Sequence, residues 1–398
     1  MEVVNLSRPQ LGRPSTTLKP AQDPSTAKIA KGPPRLPLDP LRGFICLGVV
    51  WIHLLPDDRL PKTPAWAWDS LYFGLQYLRL GVESFFLIGG YFIAQSFTAK
   101  QSSELSVSRF LFRRFLRLAI PFWIVLLLYT AFQGALTLHN PETNVPTLKE
   151  NLATAFFIRE YAGTDAVIPY FWSMEVWFQF IVVWAVLFGL VRYVLDESRW
   201  ARFQPRGHAA MQALTLSFFF ATTAAKAMNL TNGSLVLHNA PYIAFGMVVY
   251  WVFHREMNAG WIVPCILALL GMGIAAEEPK SYKILVACGL VALCQLTLAS
   301  SFGRLGTFKD TAVGRFFAYC GRRSFSIYLI HGWIGIVAFY YGCNALERLG
   351  MLSGPAVLAM MPVGIAASIV GGALFYRYIE CPVAARIAKI PYRTKCAG

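Results

Sequence analysis

Charge is scarce in this sequence. Lys, Arg, Asp and Glu together supply 14% of the 398 residues, where a soluble chain carries about 25%. Acidic side chains are scarcer still, 21 against 36 Lys and Arg. A chain so poor in charge does not read as an ordinary soluble globule. Metal-type cysteine spacing is missing as well. The eight cysteines (Cys46, Cys265, Cys288, Cys294, Cys320, Cys343, Cys381 and Cys396) are scattered, mostly in apolar segments, with no CxxC or Cys/His pattern. That argues against a zinc site and leaves them as small core residues. Residues 1–37 lack the apolar centre of a signal peptide. No internal repeat and no appended soluble domain is visible.

What is present is apolar. Hydrophobic residues make up 56% of the chain and aromatics 15%. Apolar runs of near-spanning length recur along its whole length, the pattern of a polytopic membrane protein. The expected fold is therefore all-α, a membrane helical bundle of about ten transmembrane helices. They lie near 39–56, 77–97, 115–137, 170–195, 208–228, 239–254, 260–276, 283–302, 324–343 and 355–379. Alternate loops are basic. Lys100, Arg109, Arg113 and Arg114 follow the second span, Arg199, Arg202 and Arg206 the fourth, and Arg304, Lys309, Arg315, Arg322 and Arg323 the eighth. The intervening loops are richer in acid, as after the first span (Asp57, Asp58, Asp69). The positive-inside rule then places both termini in the cytoplasm. In this setting the net charge of +15 marks cytoplasmic loops, and no nucleic-acid partner is expected. Residues 1–37 hold seven prolines and six basic residues, which predicts a disordered basic cytoplasmic tail. Residues 38–385 form the membrane domain, and 386–398 a second basic cytoplasmic tail.

Ionisable groups inside apolar spans are costly and so become functional candidates. "LDPLRGFICLGVVWIHLLP" holds Arg42 and His53, eleven residues apart. Eleven steps of 100° return to within about 20° of the starting face, some 16 Å further along the axis. Arg42 and His53 thus share a helix face with Cys46 and Val49. Glu83 in "YLRLGVESFFLIGGYF" and Glu175 in "YFWSMEVWFQF" lie at a depth similar to that of His53. "FLFRRFLRLAIPFW" supplies Arg113, Arg114 and Arg117 at the mouth of the third span, where arginine suits phosphate oxygens. "GRRSFSIYLIHGW" adds Arg322 and Arg323 in the same layer. His331, within that ninth span, reads as structural support.

These segments, with the closing "YRYIECP", resemble the integral-membrane acyltransferase-3 family, the O-acetylase type that modifies cell-surface polysaccharides. The resemblance spans about residues 38–385. It implies transfer of an acyl group, acetyl in the simplest case, from cytosolic acyl-coenzyme A to a hydroxyl of an extracytoplasmic glycan or lipid-linked sugar. It implies that Arg42 and His53 are the essential pair of the first helix. Glu83 stands where the family often has Asp, and Gly89-Gly90 where many members have Ser-Gly. On this reading His53 is the catalytic base, and Glu83 or Glu175 fixes its tautomer. Arg42, with Arg113, Arg114, Arg322 and Arg323, binds the donor phosphates. One cavity between the first four spans joins Arg42 to His53. Acyl-CoA is a co-substrate, and no permanently bound cofactor or metal is expected. The partners are acyl-CoA, the sugar acceptor and membrane lipid, in a bacterial inner membrane. A secondary transporter with an intramembrane Arg/His/Glu site, or a non-catalytic partner of polysaccharide export, remains the alternative from the sequence.

Overall fold

A computed structural model describes residues 38–54, 81–96, 106–137, 145–194, 204–231, 236–275 and 311–390. The basic tail over 1–37, the expected span 283–302 and the last residues 391–398 lie outside the described residues. Every described element is helical: α1 (Leu38–Leu54), α2 (Gly81–Ser96), α3 (Val107–Leu136), α4 (Leu148–Ala155), α5 (Arg159–Ala162), α6 (Trp172–Val194), α7 (Gln204–Ala227), α8 (Val236–Phe253), α9 (Ile262–Ala275) and α10 (Ala312–Arg322). Then α11 (Ser324–Ile330) passes through a π-helical turn, His331–Gly335, into α12 (Ile336–Arg348). In the same way α13 (Gly354–Phe375) passes through a second π turn, Tyr376–Glu380, into α14 (Cys381–Ala388).

Five of the described stretches are long and apolar enough to cross a membrane: Val107–Leu136, Pro169–Val191, Val236–Phe253, Ser324–Arg348 and Ala356–Ala388. Four other expected spans carry a described helix. The described parts of α1 and α2 run for 17 and 16 residues and stop where the described residues stop. α9 is apolar over 14 described residues. α7 has 24 residues, yet Arg206, His208, Gln212 and Lys226 dilute its apolar content. Helices also occur where the sequence suggests loops. α10 is amphipathic, and Thr311 caps it by accepting from Gly314 N at 3.0 Å. α4 opens on a capping box between Thr147 and Glu150.

Large apolar side chains point outward from the bundle, including Leu127 (69% exposed) and Ile274 (78%). In water such a surface is a liability; against lipid it is the expected coat. Inside, helices approach backbone to backbone. Gly43 of α1 sits on the Phe317 carbonyl of α10, and Gly321 of α10 sits on the Asp39 carbonyl of α1. Gly90 of α2 and Gly246 of α8 make the same reciprocal contact through Ile243 and Leu87. A Cβ at any of the four would strike a carbonyl, and small residues permit this closeness between membrane helices. α1 and α2 are thereby fixed to their neighbours, and the polar groups they carry are fixed with them.

Candidate active site

The face shared by Arg42 and His53 packs on α11. Arg42 Nη2 donates to Ser324 Oγ at 2.9 Å. Its Nη1 lies 3.8 Å from Asp39 Oδ1, one turn back. Cys46 Sγ, midway along the seam, donates to the Ser324 carbonyl at 3.5 Å. At the far end His53 Nδ1 lies 2.8 Å from His331 Nε2, with the two rings stacked at a centroid distance of 5.0 Å. Eleven residues is thus the distance over which one face of α1 meets Ser324 at one end and His331 at the other.

The bonds around His331 assign its protons. Its Nδ1 lies 2.6 Å from the Tyr328 carbonyl. A carbonyl only accepts, so Nδ1 carries the hydrogen. In a neutral ring Nε2 is then the acceptor, and His53 Nδ1–H donates to it. That leaves the lone pair of neutral His53 on Nε2. His331 has no solvent exposure. Tyr170 wedges against both imidazoles, with ring centroids 5.6 Å from His53 and 4.8 Å from His331. The wedge fits because residue 332 is glycine: a Cβ there would collide with the Tyr170 ring and hydroxyl. π turns recur at functional sites in helices, and here one begins at His331.

An elongated cavity of about 450 Å³ lies beside this seam. It follows α2 from Val82 to Ser96, which at 1.5 Å per residue is about 21 Å. One end is charged, with Arg42, Arg114, Arg117 and Glu380. Glu380 Oε2 accepts from Ser326 Oγ at 2.5 Å and lies within electrostatic reach of Arg117 and Arg42. The middle is apolar, walled by Phe85, Ile88, Phe92, Met174 and Trp177. Toward the other end stand two hydroxyls, Ser173 and Tyr328, 2.8 Å apart. Tyr328 OH also donates to the Tyr170 carbonyl, and the Tyr328 ring lies 5.5 Å from the His331 ring. One wall residue therefore faces the cavity and touches the histidine pair.

This corrects the expected shape of the site. The cavity has walls from the first four expected spans, but also from the ninth, through Ser324 and Tyr328, and from Glu380 just past the tenth. Arg42 lines it and His53 does not; a layer of Tyr170 and Tyr328 separates them. His331 takes the Nδ1 side of His53, and Glu175, one of the two carboxylates offered there by sequence, bonds elsewhere. Glu83 lies half-buried in the first turn of α2, next to Val82 of the cavity wall. Glu175 accepts from Glu160 N at 3.1 Å, Arg159 Nε at 3.4 Å and Gln179 Nε2 at 3.1 Å. It fastens the segment that leads into its own helix. That segment turns at Phe157, which has φ 59° and whose carbonyl accepts from Gln179 at 2.9 Å.

The arginines also divide. Arg114 lines the cavity beside Arg42, as does Arg117. Arg113 donates to the Ile390 carbonyl. Arg323 donates to the Tyr319 carbonyl at 3.1 Å and lies over the Tyr319 and Tyr376 rings. Arg322 is exposed. Ser173, Tyr328 and Glu380 were not singled out from sequence. Ser and Tyr in an apolar run carry no charge to flag them, and Glu380 drew notice only as part of "YRYIECP". Among the described residues, no three His, Cys, Asp or Glu side chains are grouped as a metal site requires.

The model of an acyltransferase domain matches residues 37–377. The chain belongs to the acyltransferase-3 family. No curated protein and no solved structure matches it. The matched region of this acyltransferase contains α1 with Arg42 and His53, the whole α11 seam and every cavity-lining residue named above except Glu380.

Proposed function

We propose that this membrane acyltransferase moves an acyl group, acetyl in the simplest case, from cytosolic acyl-coenzyme A to a hydroxyl of an extracytoplasmic glycan or lipid-linked sugar. The observation that carries this reading is the directed pair His53–His331 at one end of a seam whose other end, Arg42, lines a long cavity with an arginine end. A donor with an anionic head and a slender uncharged arm suits that cavity. Its phosphates would meet Arg42, Arg114 and Arg117, because guanidinium matches phosphate oxygens in number and geometry. The arm would run past the apolar middle and bring the thioester to Ser173 and Tyr328.

His53 Nε2 then takes the proton of the acceptor hydroxyl as its oxygen attacks the thioester carbon. The tetrahedral intermediate collapses, the C–S bond breaks, and the coenzyme A sulfur leaves with the proton returned by the imidazolium. His331 holds His53 in the productive tautomer throughout, the task that a carboxylate performs in a hydrolase triad. The Tyr170–Tyr328 layer must shift for the acyl carbon to reach His53. The same lone pair would serve as nucleophile in an acyl-histidine route, and a labelled acyl-protein trapped without acceptor distinguishes that route. Glu83, in the first turn of α2, would bind the acceptor sugar. We further propose ten spans with both termini cytoplasmic, in a bacterial inner membrane.

The experiment is donor binding and transfer by the purified protein in detergent, with mass spectrometry of surface glycans in cells with and without the gene. Absence of coenzyme A binding together with unchanged glycans would remove the proposal.

A further inference from the structure

Ser173 and Tyr328 stand out in the cavity. They are a pair of neutral hydroxyls bonded to one another in a stretch otherwise walled by Val82, Phe85, Phe86 and Met174. The Phe86 ring lies 6.1 Å from that of Trp172, the neighbour of Ser173. Arg42 lies over Phe92 at 6.0 Å. The hydroxyls are thus about six residues of α2 away from the arginine level, or some 9 Å along the helix axis. Ser173 is 9% exposed and sits in the first turn of α6. The Tyr328 backbone carbonyl accepts from His331 Nδ1 at 2.6 Å. The side chain of the same residue therefore faces the donor while its main chain orders the base.

We propose that Ser173 and Tyr328 form the oxyanion site, donating hydrogen bonds to the thioester carbonyl oxygen as the tetrahedral intermediate forms. The inference rests on the coenzyme A reading above and assigns the groups that reading leaves unnamed. A hydroxyl proton turns about its C–O bond, so the hydrogens that now bond Ser173 to Tyr328 and Tyr328 to the Tyr170 carbonyl can turn to a third oxygen. The electron balance is simple. The acceptor oxygen bonds the carbonyl carbon, the C=O pair moves to oxygen and is held by the two hydroxyls, and its return expels the sulfur. No proton is transferred from Ser173 or Tyr328. On an apolar wall such donors act on developing charge more strongly than in bulk water.

The test uses the full-length protein in detergent, with Ser173→Ala and Tyr328→Phe beside the parent. Two donor analogues are titrated. One is an S-ethyl coenzyme A thioether, which has no carbonyl. The other is a trifluoromethyl ketone analogue of acetyl-coenzyme A, which stands in water as a tetrahedral hydrate. The parent is expected to bind the ketone analogue far more tightly than the thioether. Each variant should lose most of that preference, keep the thioether affinity within about twofold, and lose about 10²–10³ in kcat, the usual loss for one oxyanion donor. Tyr328→Phe keeps the backbone carbonyl that orients His331, so its effect is that of the hydroxyl alone. If it proves unstable, Ser173→Ala decides. An unchanged preference and kcat in the variants would overturn this assignment while leaving the donor reading intact. A parent that binds neither analogue would overturn both.

Discussion

Two buried polar clusters invite comparison, Glu175 with its donors and His53 with His331. Glu175 receives a backbone N–H, a guanidinium and an amide, all from the segment around its own helix start. That is the satisfaction a buried carboxylate needs to be tolerated. The histidine pair is also ordered by bonds, but those bonds run in one direction. They start at the Tyr328 carbonyl and end by placing a lone pair on His53 Nε2. The first cluster consumes its polar capacity in holding a loop. The second uses its bonds to set which nitrogen of His53 is the acceptor. Burial and charge alone do not separate the two; the direction of the hydrogen bonds does.

The comparison breaks most easily at His53. His53→Gln should leave the protein inserted and able to bind coenzyme A, yet lower transfer by about 10²–10⁴, the usual loss with a general base. A parental rate would remove the base. Next comes His331. His331→Leu removes the acceptor for His53 Nδ1–H and should approach the His53→Gln loss, because an unset tautomer disables a histidine base. His331→Gln keeps an oxygen acceptor and should recover part of the rate. Equal losses in these two variants, with equal stability, would mean that His331 only packs.

At the charged end, Arg42→Lys should weaken coenzyme A binding about tenfold. Lysine cannot bond Ser324 and fork to a phosphate at once, and a charge-assisted hydrogen bond contributes about 1.5–3 kcal/mol. Calorimetric titration with coenzyme A reads this directly. Glu175→Gln sharpens the contrast from the other side. It should lower thermal stability by about 1–3 kcal/mol through the weakened loop anchor, while transfer per folded molecule stays near parental. A loss of transfer without loss of stability would move Glu175 into the chemistry.

The smallest effect concerns Glu150, which is exposed at the start of α4. Bonds from the Thr147 backbone and hydroxyl hold its carboxyl below the ordinary carboxylate range. A depressed folded pKa stabilises above the unfolded value and loses that contribution as pH falls through the folded one. The protection factors of the α4 amides, corrected for the slower intrinsic exchange in acid, should therefore fall as pH drops below about 4, while those of α6 hold.

The first helix was the most legible part of the molecule. The spacing of Arg42, Cys46 and His53 predicts one polar face, and all three bond to a single helix. The partner was harder to read, although its own signal is simple. Ser324 and His331 are seven residues apart, and seven steps of 100° also return to within about 20° of one face. Periodicity shows that two faces exist and not that they meet, because pairing between positions nearly 280 residues apart leaves no local trace. Depth misled in the case of Glu175: sharing a level with His53 does not imply sharing its site. The loop that takes up Glu175 depends on a left-handed Phe157, which nothing in its residue type announces. α1, α2 and α9 were legible as apolar helices from composition alone.

The π turn at His331 has a consequence for packing as well as for protons. Ile327 before it and Phe339 after it belong to the same buried cluster, with α1 and α13 residues. They are twelve residues apart, and in an unbroken α-helix that separation points them about 120° apart. One extra residue taken up in a π turn sets the helix back by about 100°, which brings Phe339 to within about 20° of Ile327. The turn is therefore a phase correction. It lets one continuous helix, Ser324–Arg348, keep the same side against its neighbours above and below the histidine pair. Deleting the one extra residue there would leave Ile327 and Phe339 eleven residues apart, still within about 20° in a plain α-helix, so the helix would keep its packed side while losing the π turn at His331.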